Sequence, residues 1–288
     1  MYLILKGLAE EWKPVKNLLT KKIEDIEKMF YQHYNLLCND KIFLSNDIKK
    51  LLKCRYVHHD IPFLKIAPFK EEDIYLEPRV VMFHDVISEE EIDTMKDMSK
   101  HMLQGSEVEG VNGSYSSQVR ISETTWLIDD DHKHVKNVNR RVEDMTNLAL
   151  DSAEVLQITR YQVGGKYDVH YDFDIEHKMP LEIGDRIATL MFYLSDVSEG
   201  GNTIFIDLNI TISPKKGNAI FWYNLRKNGD FNLLTAHSGC PVIAGTKWVA
   251  NKWLNEIGQE FRRPCTWEEK PKESKYFSTI SSFNLINN

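Results

Sequence analysis

The chain has 288 residues, 42% hydrophobic and 27% charged, close to the average of a soluble globular protein, so extended disorder is excluded as its main state. Its 43 acidic residues against 36 basic ones, a formal charge of -7, leave no basic surplus for binding nucleic acid. No apolar run approaches the roughly 20 residues that a membrane helix needs. The opening Met1-Tyr-Leu-Ile-Leu-Lys is too short in its apolar part for a secretory signal.

Residues 1–55 read as helical, with Ile23, Ile26 and Phe30 on one buried face. Ser45-Asn46-Asp47 caps a second short helix reaching about Leu52. This part is too small to hold a strong core alone and reads as the remnant of a larger helical module. Residues 56–78, with Pro62, Pro68, Pro78 and the run Lys70-Glu71-Glu72-Asp73, read as a linker. Val80–Phe83 is a strand. Ser88-Glu89-Glu90-Glu91 is a capping box that opens a helix to about Leu103. Residues 104–118 are a loop rich in Gly, Ser and Asn, and a helix fits 131–147 with Val135, Val138, Val142 and Met145 on one face.

After residue 150 the pattern turns to short strands: Ala153–Tyr161, Arg186–Leu194, Thr203–Ile206, Ala219–Tyr223 and Lys247–Leu254, with turns at Gly164-Gly165 and Ser198-Glu199-Gly200-Gly201. Helices first and strands after them give an α+β chain, helices covering one face of an antiparallel double sheet. The expected division is a helical remnant at 1–55, a linker at 56–78, one domain at 79–265 and a tail at 266–288.

The chemistry concentrates in Tyr161-Gln-Val-Gly-Gly-Lys-Tyr167-Asp-Val-His170-Tyr-Asp172. On a strand, residues two apart point to the same face, so His170 and Asp172 can grip one ion. An open iron site takes two imidazoles and one carboxylate on one side of the octahedron. A second histidine must come from elsewhere in the fold, and His237 is well placed in the strand-rich half. His58-His59-Asp60 has the same spacing but no strand pattern around it, and reads as a solvated turn. Lys247 shares a strand face with Val249, Asn251 and Trp253. A lysine facing a double-sheet interior is costly without an anion to meet it, and a dicarboxylate cosubstrate would supply one. At a strand end it could equally reach solvent.

The cysteines are Cys38, Cys54, Cys240 and Cys265, with no Cys-x-x-Cys spacing for a zinc ribbon or redox pair. The shortest loops join Cys38 to Cys54 and Cys240 to Cys265. Four reduced thiols are the other reading.

These motifs form an ordered set: Tyr161…Gly164-Gly165…Tyr167…His170-x-Asp172, Arg186-Ile-Ala-Thr, Glu199-Gly-Gly-Asn-Thr203, Pro214-Lys-Lys-Gly-Asn-Ala-Ile-Phe-Trp-Tyr-Asn-Leu225, His237-x-x-Cys-Pro-Val, Gly245-Thr-Lys247-Trp-Val-Ala-Asn-Lys-Trp253 and Arg-Arg-Pro-Cys265. Over roughly residues 30–265 the set strongly resembles the catalytic alpha subunits of animal collagen prolyl 4-hydroxylases.

The resemblance implies a double-stranded β-helix, or jelly roll, using Fe(II), 2-oxoglutarate and O2, with ascorbate as rescue reductant. It implies His170, Asp172 and His237 as iron ligands, and Lys247, Tyr161 and Thr203 around the cosubstrate. Tyr167, Arg186 and Trp253 would face a proline-containing, collagen-like peptide. Asn255 stands where the family commonly has a histidine near the substrate. The family's disulfide pairing is the short-loop one. Its compartment is the endoplasmic reticulum lumen and its partner is protein disulfide isomerase. The expected activity is hydroxylation of proline at C4 in Xaa-Pro-Gly sequences. The rival readings are a 2-oxoglutarate oxygenase with another peptide substrate, and a non-catalytic relative that binds peptide or a partner.

Overall fold

The computed structural model describes residues 21–267 except 23, 111, 112, 117, 176–179 and 181; the expected start of the helical segment and nearly all of the expected tail lie outside the described residues. Two antiparallel sheets dominate. The larger runs Cys54–Val57, Phe69–Leu76, Arg79–His84, Ala219–Tyr223, Arg186–Tyr193, Lys247–Asn255, Leu156–Tyr161, Glu123–Leu127 and Gln104–Gly105 in spatial order. The smaller runs Ile210–Ile212, Thr203–Phe205, His237–Gly239, Lys166–His170 and Arg120–Ile121. This is the expected jelly roll, with helices Glu89–Ser99 and Lys133–Thr146 packed against the larger sheet.

The strand Lys247–Asn255 shows why the layers stack. All nine residues are buried, so both faces are covered. Trp248, Ala250 and Leu254 join a core with Ile92, Met95, Val135, Val138, Val142 and Met145 of the helices. Val249 joins the core between the sheets, with Tyr193, Phe205, Trp222 and Val242. Each fully buried side chain of this size contributes about 1.5–3 kcal/mol.

The helix ends follow local chemistry. Ser88 accepts from the Glu91 amide while the Glu91 carboxylate accepts from the Ser88 amide, forming the expected capping box. Ser45 caps Asn46–Lys49, a shorter helix than expected.

Four expectations are corrected. Within 56–78, Phe69–Leu76 is an eight-residue strand rather than linker, because Glu71 and Asp73 are buried in ion pairs with Arg55, and Glu71 also meets Arg79. Residues 104–118 contain the hairpin Glu107–Gly110 and Gly113–Ser116. In the helix over 24–38, Phe30, Tyr34 and Leu37 face the core, while Ile26 is 49% exposed.

The fourth concerns the cysteines. Cys38 is bonded to Cys240, 202 residues away, while Cys54 and Cys265 are free and exposed, so neither expected pair, Cys38–Cys54 or Cys240–Cys265, is formed. The helix over 24–38 ends on the smaller sheet, where Asn202 Nδ2 donates to Cys38 O at 3.1 Å and Thr211 Oγ1 to Leu37 O at 2.9 Å. That docking delivers Cys38 to Cys240, just beyond His237–Gly239. Loop length ranks pairings by chain entropy alone and is blind to such packing.

Candidate metal and cosubstrate site

His237 opens the strand His237–Gly239 and pairs in register with His170 at the end of Lys166–His170. Asp172 does not lie on that strand. It sits in the bend that follows, and its Oδ2 accepts from Thr189 Oγ1 on the larger sheet at 2.7 Å. The common face thus arises from a tertiary hydrogen bond rather than strand alternation. The donor atoms of His170, Asp172 and His237 lie within 4.8 Å of one another and form the one such group among the described residues. Asp172 Oδ1 is 3.6 Å from His170 Nε2, and Oδ2 is 3.7 Å from His237 Nε2.

The donor set fits a divalent metal ion. His170 Nδ1 contacts the Asp168 carbonyl at 2.7 Å and His237 Nδ1 the Thr235 carbonyl at 3.0 Å. A carbonyl only accepts, so each Nδ1 carries the proton and each Nε2 keeps its lone pair for an ion. Burial, with His237 close by, pushes His170 down to about 3, so its ring is neutral at pH 7. Burial alone would raise the Asp172 carboxyl. The His237 and His170 rings, Arg186 and the Thr189 hydroxyl outweigh it and hold Asp172 below its ordinary value.

Lys247 is opposite Tyr161 in the sheet and only 2% exposed. Burial pushes its ammonium down to about 7. Its Nζ donates to Thr203 Oγ1 at 3.3 Å, which also accepts from Tyr193 Oη at 2.9 Å. With both lone pairs taken, the Thr203 proton is left to donate to a ligand. Gly200 lets Glu199–Gly200 pair with Val242–Ala244: at φ +75°, a Cβ there would fall 2.4 Å from Pro241 O. Lys247 Nζ lies 5.6 Å from the Tyr161 ring centre. Among the described residues no carboxylate meets Lys247.

The expected peptide-facing residues gather on the same side. Tyr167 stacks on His170 with ring centres 3.6 Å apart. Arg186 lies over Trp253, is held by both oxygens of Glu154 and reaches the Asp172 carbonyl at 3.4 Å. Asn255 is 0% exposed, and its Nδ2 donates to Gly184 O at 3.3 Å. His59 binds the Met145 carbonyl and His58 is at the surface, so that His-x-Asp spacing builds no site.

Glu154, Thr189, Asn224 and Arg120 were not singled out from the sequence. Arg120 lies 4.8 Å from the Tyr167 ring and donates to Gln157 Oε1 at 3.0 Å. Thr189 and Asn224 stand inside the motifs Arg186-Ile-Ala-Thr and Trp-Tyr-Asn-Leu225 but carry no role there; a threonine inside the apolar run Ile187–Tyr193 is a further signal for Thr189.

Residues 156–255 match the family model described as the 2OG-Fe(II) oxygenase superfamily. The chain is 43% identical over 248 residues to the human prolyl 4-hydroxylase subunit alpha-1, covering 83% of this chain and 46% of that protein. It is 38% identical over 276 residues to subunit alpha-2 of Caenorhabditis elegans, covering 93% of this chain and 50% of that one. It therefore spans about half the length of these curated relatives. The solved viral collagen prolyl hydroxylase from Paramecium bursaria Chlorella virus-1, in its 2OG complex, matches with a TM-score of 0.52 at 28% identity, covering 62% of this chain and 96% of that one.

Proposed function

Because the chain is a homologue of the prolyl 4-hydroxylase alpha subunits with a 2OG-Fe(II) oxygenase domain at 156–255, we propose that it hydroxylates peptidyl proline at C4 in collagen-like Xaa-Pro-Gly sequences. The observation that carries this reading is Lys247, a buried lysine without a carboxylate among the described residues, beside a two-histidine, one-carboxylate set. Such a cation calls for an acidic ligand, and such a donor set for Fe(II).

In this reading His170, Asp172 and His237 hold Fe(II), and 2-oxoglutarate places its distal carboxylate on Lys247 and Thr203, with Tyr161 lining the same end. Bound iron, with the keto acid and dioxygen, supplies the oxidising chemistry that replaces a C4 hydrogen by hydroxyl. The chain supplies position and dryness. Tyr167, Arg186 and Trp253 hold the peptide beside the metal ligands. Asn255, being buried, serves the peptide through the turn it fixes at Gly184.

The same resemblance extends the reading to ascorbate as reductant, the endoplasmic reticulum lumen as compartment and protein disulfide isomerase as partner. The Cys38–Cys240 bond supports an oxidising compartment. The test is anaerobic titration with Fe(II) and 2-oxoglutarate, then admission of air and assay of succinate with and without (Pro-Pro-Gly) repeats. Peptide-stimulated succinate and a hydroxyproline product are expected, both lost in His237→Ala. An absence of succinate with every peptide overturns the reading.

A further inference from the structure

Beneath Asp172 runs a short file of buried polar side chains. Thr189 is 1% exposed and lies on Arg186–Tyr193 between Trp222 and Trp253 of the two neighbouring strands. Its Oγ1 is 2.7 Å from Asp172 Oδ2. Asn224 is 0% exposed, and its Nδ2 is 2.9 Å from Thr189 Oγ1. The direction of these bonds follows from chemistry. An ionised carboxylate only accepts, so the Thr189 hydroxyl donates to Asp172 and must itself accept from Asn224. That fixes the Asn224 amide with nitrogen toward Thr189, and leaves its buried Oδ1 without a partner among the described residues. The Asn224 main chain is pinned as well, its amide donating to Ile187 O and its carbonyl accepting from Asn232 N.

The hydroxyl of Thr189 occupies Oδ2 of Asp172, and Oδ1 accepts no hydrogen bond among the described residues. We infer that Thr189, oriented by Asn224, is a positioning residue that reserves Asp172 Oδ1 as the single ligating oxygen. The carboxylate then takes one coordination position instead of two, leaving the others for cosubstrate and oxygen. This rests on the reading of His170, Asp172 and His237 as metal ligands.

The test uses Co(II), whose visible absorption reports both binding and coordination number, with the full chain under anaerobic conditions. Thr189→Val keeps the shape and removes the hydroxyl. It is expected to raise the Co(II) Kd by about 10–100-fold, as loss of an outer-shell partner does, and to change the visible bands. Thr189→Ser restores the donor and should bind as wild type. Asn224→Ala removes only the support and should shift the Kd in the same direction by a smaller factor. It decides the matter if Thr189→Val does not fold. A purely structural role would lower Tm and leave the Kd of the folded protein unmoved. Wild-type Kd and bands in Thr189→Val, or in Asn224→Ala where that variant decides, overturn the inference alone. A wild-type chain that takes up no Co(II) overturns the metal reading and the inference with it.

Discussion

The Arg186 guanidinium lies 4.1 Å from the centre of the Trp253 ring, with both Glu154 oxygens gripping its Nε–Nη2 edge. Burial alone would lower Arg186, but the paired carboxylate raises it, so the charge stays in place beside Asp172. Only a planar fork can stack on an indole and bind a carboxylate at two points together.

Arg186→Lys should therefore behave as a non-conservative change. Losing a charge-assisted bond and the stacking costs about 1.5–3 kcal/mol, or about 10–150-fold in kcat/KM for peptide. The KM for 2-oxoglutarate should hold steady. Glu154→Gln should follow in the same direction. Steady-state kinetics with each substrate varied in turn checks this, and an equal loss on both substrates would count against it.

Lys247 makes cosubstrate binding depend on pH. In the free protein it titrates near 7, and a bound dicarboxylate favours its charged form. Below about pH 7 affinity is flat. Above it, each binding event must take up a proton, and affinity falls by up to about tenfold per pH unit. Calorimetry in two buffers of different ionisation enthalpy should show proton uptake on binding at pH 8 and almost none at pH 6.

The same burial makes Lys247 a cost to the fold. Its folded value, about 7, lies below the unfolded 10.5. Between those limits the unfolded chain binds more protons, so this contribution makes stability rise with pH across that window; the cost is fully present below about 7. Lys247→Met should then be the more stable protein at pH 7, with an advantage that shrinks toward pH 10, while failing to bind 2-oxoglutarate. Urea unfolding of both proteins at several pH values gives the comparison. Lys252, pushed down to about 8 by burial, contributes equally to both and cancels.

The disulfide is directly testable. Non-reducing peptide mapping should recover Cys38 joined to Cys240, and a maleimide should label Cys54 and Cys265 in the native protein. Recovery of Cys38 with Cys54 would refute the observed pairing. Cys38→Ser should destabilise the fold by roughly 2–4 kcal/mol, since the bond closes a long loop.

Features set by neighbours in the chain were legible before the fold was. Ser88 and Glu91 announce their helix because a capping box needs only three residues of separation. Val135, Val138, Val142 and Met145 mark their buried stripe by period alone. His170, His237 and Lys247 could be named from motif order, and the structure brings His170 and His237 together on the smaller sheet and sets Lys247 on the larger one. What stayed hidden depends on distance along the chain. Thr189 and Asn224 carry no signal linking them to Asp172, and Glu154 none linking it to Arg186. Cys38 misled because nothing local says where a helix end will dock.

That docking has a practical consequence for anyone shortening the protein. The stretch over 24–38 forms the outer wall of the sheet that carries His170 and His237. A version trimmed to begin beyond residue 55 would strip the cover from Asn202, Thr211 and Cys240, open the space that Leu37 fills and free a thiol three residues from His237.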